Sequence, residues 1–197
     1  MKDFIFIIGP SAVGKTTLAK ELYQYYNGVY IEQSMVPEFI IPEGVKDVGI
    51  YEEDLCFKNT LMQMKWFYKR GYRNIVALDF DDLRVRSFPK LFKGYDYIIL
   101  RLISSNYQQI KNQMEERHKT GQGLYIPEGD SKSNEVIKNR PLLPNEVIID
   151  VNGKNKQQVL EEAINLIDNT KTLLDYDYKM PERKSFRSWI QSYNLNK

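Results

Sequence analysis

Five apolar runs alternate along the chain with longer segments in which apolar residues recur at helical spacing. Polar residues do not alternate with apolar ones inside these runs. Such continuous apolar runs are typical of parallel strands that are buried on both faces. They cover residues 4–8, 29–31, 74–79, 95–102 and 146–151. The periodic segments predict helices over residues 15–26, 52–70, 106–119 and 155–174. Strands that alternate with helices predict an α/β fold with a parallel sheet.

The segment between the first apolar run and the first predicted helix carries a phosphate-binding sequence. Residues 9–17 read GPSAVGKTT and fit the pattern G-x-x-x-x-G-K-[ST] in the strand-loop-helix context that it requires. Backbone N–H groups of such a loop surround a polyphosphate, and the helix dipole favours the same negative charge. Lys15 is predicted to reach the β- and γ-phosphates, and the Thr16 hydroxyl to bind Mg²⁺. The predicted nucleotide-binding residues are Gly9, Ser11, Ala12, Val13, Gly14, Lys15, Thr16 and Thr17.

A dense charge cluster follows the third apolar run. Its carboxylates are Asp79, Asp81 and Asp82, and its cations are Arg84 and Arg86. Open parallel sheets bind ligands beyond the carboxyl ends of their strands, which is where this cluster lies. We therefore expect a magnesium and acceptor site here, in which one carboxylate holds Mg²⁺ and another binds the hydroxyl or orients the phosphate of the acceptor. A solvated surface loop is the alternative interpretation.

Two less regular segments flank this site. Residues 33–58 are interpreted as an acceptor-side insertion, because Pro37, Pro42 and Gly44 interrupt any regular pattern there; a plain surface loop is the alternative. Residues 117–140 are polar and contain glycine, and we predict that they form a lid whose basic residues reach the polyphosphate. Basic residues that only offset a helix dipole are the alternative. The lid cations are Arg117, Lys132, Lys138 and Arg140.

Several segments together resemble the guanylate kinases, a family of nucleoside monophosphate kinases. Residues 9–18 begin with the same Gly-Pro-Ser, and residues 77–81 are similar to the family's apolar strand that ends in Asp-x-Asp. Residues 97–105 resemble its next strand and turn, and residues 116–117 and 133–140 resemble the two ends of its lid. The resemblance implies ATP and Mg²⁺ as cofactors. It also implies roles for individual residues. Lys15, Arg117 and Arg140 would be the phosphate clamps, and Thr16 would be the magnesium ligand. Asp79 and Asp81 would be the metal and acceptor carboxylates.

The acceptor region departs from the guanylate kinase pattern. Those enzymes bind GMP with an arginine- and glutamate-rich insertion after the second strand, whereas residues 33–58 contain no arginine. A phosphate monoester is usually held by bidentate arginine donors. Either GMP is not the acceptor, or its phosphate is held by Arg84, by Arg86 or by a lysine such as Lys46. The residues that we assign to the acceptor are Glu32, Asp82 and Arg84.

Composition narrows the classes of function. Lys and Arg number 28 and Asp and Glu 26, so the chain has no general attraction for nucleic acid or an anionic membrane. The single cysteine, Cys56, excludes an intramolecular disulfide and a cysteine metal cluster, and the single histidine, His118, argues against histidine-based zinc chemistry. The chain enters its first strand directly, and no apolar run approaches the ~18 residues of a membrane span. We expect a cytoplasmic protein that is a monomer or a homodimer.

Together these patterns predict a three-layer α/β/α P-loop kinase with a five-stranded parallel sheet in the strand order 2-3-1-4-5. Residues 1–174 are predicted to form the kinase core, and residues 175–197 a C-terminal extension that packs on the core as a short helix. A helix that binds a partner protein is the alternative. The apolar residues of the extension that have helical spacing are Phe186, Trp189, Ile190 and Tyr193.

The predicted activity is transfer of the γ-phosphoryl group of ATP to a small molecule, with a nucleotide or nucleoside as the first choice of acceptor. A sugar phosphate or another metabolite is the alternative acceptor, and a non-catalytic ATP-binding interaction protein is the alternative class. A GTP-dependent switch is disfavoured because residues 155–158, Asn-Lys-Gln-Gln, lack the Asp of the guanine-reading motif Asn-Lys-x-Asp. The near-neutral charge and the lack of an aromatic-basic platform disfavour a nucleic-acid kinase.

Overall fold

The computed structural model describes residues 1–121, 135 and 137–180. Its centre is a five-stranded sheet in the order β2-β3-β1-β4-β5, in which all neighbouring strands are parallel. The strands are β1 (Phe4–Ile8), β2 (Val29–Glu32), β3 (Ile75–Leu78), β4 (Tyr97–Ile103) and β5 (Glu146–Asp150). The predicted parallel sheet and its strand order are confirmed.

Helices cover both faces of the sheet. They are α1 (Lys15–Tyr25), α2 (Val48–Lys69), α3 (Asp82–Val85), α4 (Phe88–Leu91), α5 (Tyr107–Lys119) and α6 (Lys156–Asn169). Apolar side chains of α1, α5 and α6 pack on one face, and those of α2, α3 and α4 pack on the other. The predicted three-layer α/β/α arrangement is therefore confirmed.

The start of α2 differs from the prediction. The helix begins at Val48 instead of residue 52, because Asp47 caps it by accepting a hydrogen bond from the backbone N–H of Ile50 at 3.1 Å. The predicted acidic first turn is wrong, since the first turn contains no acidic residue. The charged segment after β3 also folds further than predicted, into the short helices α3 and α4.

The end of α6 differs as well. The helix ends at Asn169, although helical periodicity extends to residue 174. Contacts with distant parts of the chain hold the following residues in a non-helical path. Lys2 Nζ donates to the backbone oxygen of Thr170 at 2.9 Å, and the Asn145 side chain bonds the backbone N–H and oxygen of Leu173 at 2.8 and 3.0 Å. Tertiary contacts thus override the local preference for helix.

The two faces of the sheet differ in composition. The face under α2, α3 and α4 is aromatic: Phe6 and Phe88 have ring centroids 4.2 Å apart, and those of Phe4 and Phe92 are 4.9 Å apart. The opposite face, under α1, α5 and α6, is mainly aliphatic. Its buried side chains include Ile5, Ile7, Leu78, Leu100 and Leu102. Because both faces are covered, the strands appear in the sequence as continuous apolar runs.

The parallel register brings the carboxyl ends of the central strands to one edge of the sheet. Ile7 of β1 pairs with Leu78 of β3 and with Leu100 of β4, and Leu78 also pairs with Glu32 of β2. The residues that follow β1, β2 and β3 therefore come together. The residues at or just beyond these strand ends are Gly9, Gln33 and Asp79.

Residues 175–180 contact the core. The Tyr176 hydroxyl donates to the backbone oxygen of Pro89 at 2.7 Å and lies 2.7 Å from the Tyr97 hydroxyl. The Tyr178 hydroxyl donates to the backbone oxygen of Arg86 at 2.9 Å. The helix predicted for the end of the chain lies outside the described residues. Among the helices of the described ranges, none is both long enough and apolar enough to span a bilayer.

Candidate active site

The phosphate loop joins β1 to α1 with a backbone that favours glycine at two positions. Gly9 has a φ of 146°, and Gly14, the residue before α1, has a φ of 102°. No side chain caps the amino end of α1, so no side-chain acceptor occupies the first backbone N–H groups at the cap. Lys15 Nζ donates to the backbone oxygen of Pro10 at 3.0 Å. A positive helix end and a lysine beside it suit the binding of a polyphosphate.

Replacing Gly9 by alanine is expected to disrupt this loop. A Cβ at Gly9 would lie 2.4 Å from the backbone oxygen of Leu102 and 3.1 Å from Cγ1 of Val13, and alanine would also be strained at the positive φ. Left-handed strain and overpacking together lead us to expect a loss of about 2–5 kcal/mol in the free energy of unfolding. Urea denaturation measures this loss.

Gly153→Ala is the matched control for Gly9→Ala. Gly153 also has a positive φ, 71°, but a Cβ there meets no atom within 4 Å. We therefore expect a loss of only about 1–2 kcal/mol, from backbone strain alone. Equal losses of unfolding free energy in the two variants would show that the close approach between the loop and β4 does not affect stability.

A cavity of about 410 Å³ lies beside the phosphate loop. Its walls are the loop and the start of α1, one side of α5, and the segment that leads from β5 into α6. The volume and the mixture of apolar and polar walls are typical of small-ligand sites. The apolar walls include Leu18, Leu102, Val151 and Val159, and the polar walls include Gln109, Gln113 and Lys154. The cavity can hold a flat base next to a loop that suits phosphates.

Asp79 is the first residue after β3, the strand that neighbours β1 and its phosphate loop. Its φ of 68° is uncommon for a residue with a side chain, and the residue is exposed at the sheet edge. Backbone strain of this kind is often found at functional sites. Thr16 lies half-buried in the first turn of α1. Mg²⁺ takes oxygen ligands and usually needs only one or two protein groups beside phosphates and waters, so these two residues fit its requirements.

Asp81 and Arg84 pair with each other. One carboxylate oxygen of Asp81 accepts the backbone N–H of Arg84 at 2.8 Å and caps α3, and the other pairs with the Arg84 guanidinium. Arg84 also donates to Asp54 at 2.9 Å, and its side chain is only 6% exposed. Burial disfavours the charged form, but Asp81 and Asp54 outweigh it and raise the pKa of Arg84 above its ordinary value. These ion pairs occupy both terminal nitrogens of the guanidinium, at least one of which a bidentate phosphate contact would need.

Asp82 and Arg140 lie in a buried ion-pair network. Arg140 Nε donates to Asp82 at 2.7 Å, and its two terminal nitrogens donate to Glu146 at 2.8 and 2.6 Å. Burial disfavours the charge, but Glu146 and Asp82 raise the pKa of Arg140 above its ordinary value. The Arg140 side chain is 2% exposed and that of Asp82 is 3% exposed. The structure thus places both side chains in internal ion pairs, and the roles of Arg140 as a phosphate clamp and of Asp82 at the acceptor stay predictions.

Arg101 of β4 completes this buried network. Its Nε and Nη2 donate to the two carboxylate oxygens of Glu146, each at 3.0 Å, and both side chains are fully buried. Its Nη1 donates to the backbone oxygens of Ile137 and Arg140, each at 2.7 Å. Burial lowers the pKa of Arg101 from its ordinary value, although Glu146 opposes this shift. Glu146 therefore pairs with two buried guanidiniums, and its contact with the backbone N–H of Leu143 helps to fix the chain that leads into β5.

The other predicted site residues are only partly described. Glu32 ends β2 and accepts a hydrogen bond from the Tyr30 hydroxyl. Lys138 is half-buried. The side chain of Arg117 and all of Lys132 lie outside the described residues, as does most of the predicted lid. Their roles stay predictions.

Sequence reasoning missed two pairs of polar residues. Gln33 and Glu53 pair just after β2, and Arg101 and Glu146 pair in the buried network. Gln33 directly follows β2, and its Nε2 donates to Glu53 at 2.9 Å. A polar residue just after a buried strand is a usable signal, because such positions reach the ligand side of a parallel sheet. An arginine inside an apolar run, as at position 101, indicates a buried carboxylate partner. Nothing in the sequence distinguishes Glu53 from the other acidic residues of its helix.

No protein-family model matches the sequence, and no curated protein matches it either. Solved structures do resemble it. A sugar kinase from Janibacter sp. HTCC2649 is 15% identical with a TM-score of 0.60 and is matched over 85% of this chain and 95% of that chain. A shikimate kinase from Acinetobacter baumannii is 15% identical with a TM-score of 0.53, over 87% of this chain and 97% of the other.

A thymidylate kinase from Candida albicans is also similar, at 14% identity and a TM-score of 0.53, over 85% of this chain and 91% of that chain. The acceptors named for these three structures differ, so the likeness does not select one. What they share with this chain is the architecture that the strand order and flanking helices define. The chain therefore has the three-layer α/β/α P-loop fold of these kinases.

Proposed function

We propose that this protein is a kinase that transfers the γ-phosphoryl group of ATP to a hydroxyl group of a small molecule. One observation carries the proposal: the phosphate loop with Lys15 and the exposed carboxylate of Asp79 follow adjacent parallel strands at the same edge of the sheet. The fold that the chain shares with solved kinases supports the proposal. The resemblance to guanylate kinases supports it on the donor side only, since residues 33–58 lack arginine.

The nucleotide is proposed to bind across the loop and the neighbouring cavity. Its base would occupy the 410 Å³ cavity between α5 and the start of α6. Its phosphates would take the place that the backbone oxygen of Pro10 now occupies beside Lys15 Nζ. Loop N–H groups and the helix dipole would then bind the β- and γ-phosphates. Thr16 would hold Mg²⁺ directly and Asp79 through a water, so that the Asp79 carboxylate could still accept a proton; the ion would neutralise phosphate charge when it is bound.

The proposed reaction is a single displacement at phosphorus. The acceptor oxygen forms a bond to the γ-phosphorus, the bond from that phosphorus to the β,γ-bridging oxygen breaks, and ADP leaves. Asp79 accepts the hydrogen bond of the attacking hydroxyl and then its proton, which passes to solvent. Lys15 neutralises charge on the transferred group. The protein contributes positioning and electrostatic stabilisation, and no covalent enzyme intermediate forms.

Asp79→Asn tests this proposal. Asparagine tolerates a positive φ as well as aspartate does, so the fold should be preserved, while the negative charge and the proton acceptor are lost. We expect kcat to fall at least about 100-fold, with little change in thermal unfolding. ADP release in the presence of ATP, Mg²⁺ and a panel of sugars, nucleosides and nucleotides gives the rate, and ³¹P NMR identifies the phosphorylated product.

Asp177→Asn is the matched control, since Asp177 is an exposed aspartate on the C-terminal segment. Its turnover should equal that of the unaltered protein. Full activity in Asp79→Asn would contradict the role of Asp79. Binding of ATP without turnover for any compound of the panel would instead favour the non-catalytic ATP-binding class.

A further inference from the structure

A stripe of apolar side chains runs along one side of α2. Its members are Val48, Tyr51, Leu55, Met62 and Trp66, which follow one another at steps of three, four, seven and four residues. Steps of this size place side chains on the same side of a helix. Leu55 is half-buried and the other four are exposed, Met62 by 73% and Trp66 by 55%. We call this set the α2 stripe.

The α2 stripe lies on the outer side of the helix. The side that packs on the sheet carries Phe57, Thr60 and Met64, which are buried. At 3.6 residues per turn, the stripe and these three residues fall on opposite sides of the helix. The outer side of a surface helix is normally polar, so an apolar stripe there indicates an interface. Part of the stripe lines a groove of about 540 Å³.

The apolar surface extends beyond the α2 stripe. Of the sixteen large apolar side chains that are exposed in the described ranges, eight belong to residues 35–66, so this surface is concentrated and not scattered. Ile40 is the most exposed of them, at 95%. Gln63 Nε2 donates to the backbone oxygen of Met35 at 3.4 Å. The segment before α2 therefore lies beside the helix and adds to its apolar surface.

The charges at the two ends of α2 are opposite in sign. Asp47 and Glu52 lie at its amino end, Lys69 and Arg70 lie at its carboxyl end, and all four are exposed. None of the four forms an ion pair with another residue of the described part of the chain. Each end of the helix can therefore attract an end of opposite charge on another molecule.

Two copies of α2 complement each other when they run antiparallel. A two-fold axis midway along the stripe places Tyr51 of one copy opposite Trp66 of the other, and Leu55 opposite Met62, because both pairs are centred on the same point of the helix. The acidic end of each helix then meets the basic end of the other, whereas a parallel pair would bring like charges together. One helix therefore supplies both halves of an interface.

The centre of this arrangement is polar. The two-fold axis passes between Lys58 and Asn59, so that Lys58 of one copy meets Asn59 of the other. A single polar position inside an apolar helix seam disfavours shifted alignments, because a shift would bury the polar group against apolar side chains. The polar centre therefore favours the alignment in which the apolar pairs form.

We propose that the outer side of α2 binds a second copy of this chain, giving a two-fold symmetric homodimer in which the two α2 helices pack antiparallel. A different protein would need a complementary surface of its own, whereas the complement is already present in α2. The proposal does not depend on the kinase function. Of the two oligomeric states expected from the sequence, monomer and homodimer, it selects the homodimer.

Sedimentation equilibrium of the full chain tests the oligomeric state. At about 100 μM, even a dissociation constant of about 1 μM leaves most chains paired, so we expect twice the mass of one chain. The mass of a single chain at that concentration would overturn the proposal and leave the end of the chain or another protein as the cover of the stripe. A mass above two chains would also overturn it, because a two-fold interface closes after two copies.

Met62→Arg tests whether the stripe is the interface. Arginine brings a charge into the apolar seam of both copies, so the dissociation constant of the dimer should rise at least about tenfold. Met62 is mainly exposed in a single chain, so circular dichroism should show an unchanged fold. Tyr25→Arg is the matched control, because Tyr25 is 59% exposed on α1, which covers the opposite face of the sheet. This control should leave the dissociation constant unchanged.

Single cysteines test the antiparallel arrangement in the background Cys56→Ser, which removes the one native thiol. In Asn59→Cys the two new thiols lie near the two-fold axis, and oxidation by oxygen with copper phenanthroline should link the copies through a disulfide. In Tyr51→Cys the two thiols lie at opposite ends of the seam. Because Tyr51 faces Trp66, they are 15 residues or about 22 Å apart along the helix, and no disulfide should form.

Equal dissociation constants for Met62→Arg and Tyr25→Arg would overturn the assignment of the interface. Equal cross-linking of the two cysteine variants, or no cross-linking in either, would overturn the antiparallel arrangement. If Met62→Arg does not fold, the comparison of the two cysteine variants replaces it, since neither of them adds a charge.

Discussion

A variant with Lys15 replaced by alanine is expected to fold normally and to lose ATP-dependent phosphoryl transfer. In the described structure the Lys15 ammonium donates to the oxygen of Pro10 within its own loop. Removing one such hydrogen bond from a half-buried side chain should lower the free energy of unfolding by only about 1 kcal/mol. The effect on turnover is far larger, because Lys15 is proposed to neutralise charge on the transferred phosphoryl group.

We expect kcat of Lys15→Ala to fall at least about 1,000-fold, the range seen when a group that stabilises a developing negative charge is removed. ADP release measures the turnover, and circular dichroism with thermal unfolding checks the fold. Lys20→Ala is the control, since Lys20 is an exposed lysine of the same helix, α1. Retained turnover in Lys15→Ala would contradict the proposed function.

Glu146→Gln is expected to destabilise the protein more than any surface substitution. The change keeps the size of the side chain but removes the charge that faces Arg101 and Arg140, both of which are buried. Breaking a buried ion pair from one side typically costs about 3–5 kcal/mol, because the remaining charge is buried without compensation. This is a large part of the ~5–15 kcal/mol by which most domains are stable. Urea denaturation at constant pH measures the difference.

Glu162→Gln is the control for Glu146→Gln. Glu162 pairs with Lys154 at 2.5 Å, but both side chains are about one third exposed, so solvent screens the pair. We expect a change of about 0–1 kcal/mol there. Similar losses of unfolding free energy in the two glutamate variants would show that burial does not determine how much an ion pair contributes to stability.

The fold could be predicted because its signals are local. Each strand is a continuous apolar run, and the phosphate loop has its pattern within nine residues, 9–17. The strand order followed from the fold type that the loop indicates. The ends of α2 and α6 were mispredicted because they depend on a cap at Asp47 and on contacts from Lys2 and Asn145, which periodicity does not encode.

The site could be predicted only in part. Asp79 follows directly from its place after an apolar strand, and the structure puts it at the expected edge. Arg84 and Arg140 look equally available in the sequence, since both lie in polar segments. Each has one partner that is distant in the sequence: Asp54 is 30 positions from Arg84, and Asp82 is 58 positions from Arg140. Only the fold shows that internal carboxylates already neutralise these two arginines.

The contrast between the two faces of the sheet has a consequence for how this chain can diverge over evolution. Aliphatic side chains exchange at nearly constant volume with little loss of stability, so the face under α1, α5 and α6 should accept many substitutions. The rings on the opposite face, such as Phe6 against Phe88, pack in fixed orientations that an aliphatic replacement does not reproduce. Related sequences should therefore diverge fastest in the layer under α1, α5 and α6 and slowest in the layer under α2, α3 and α4.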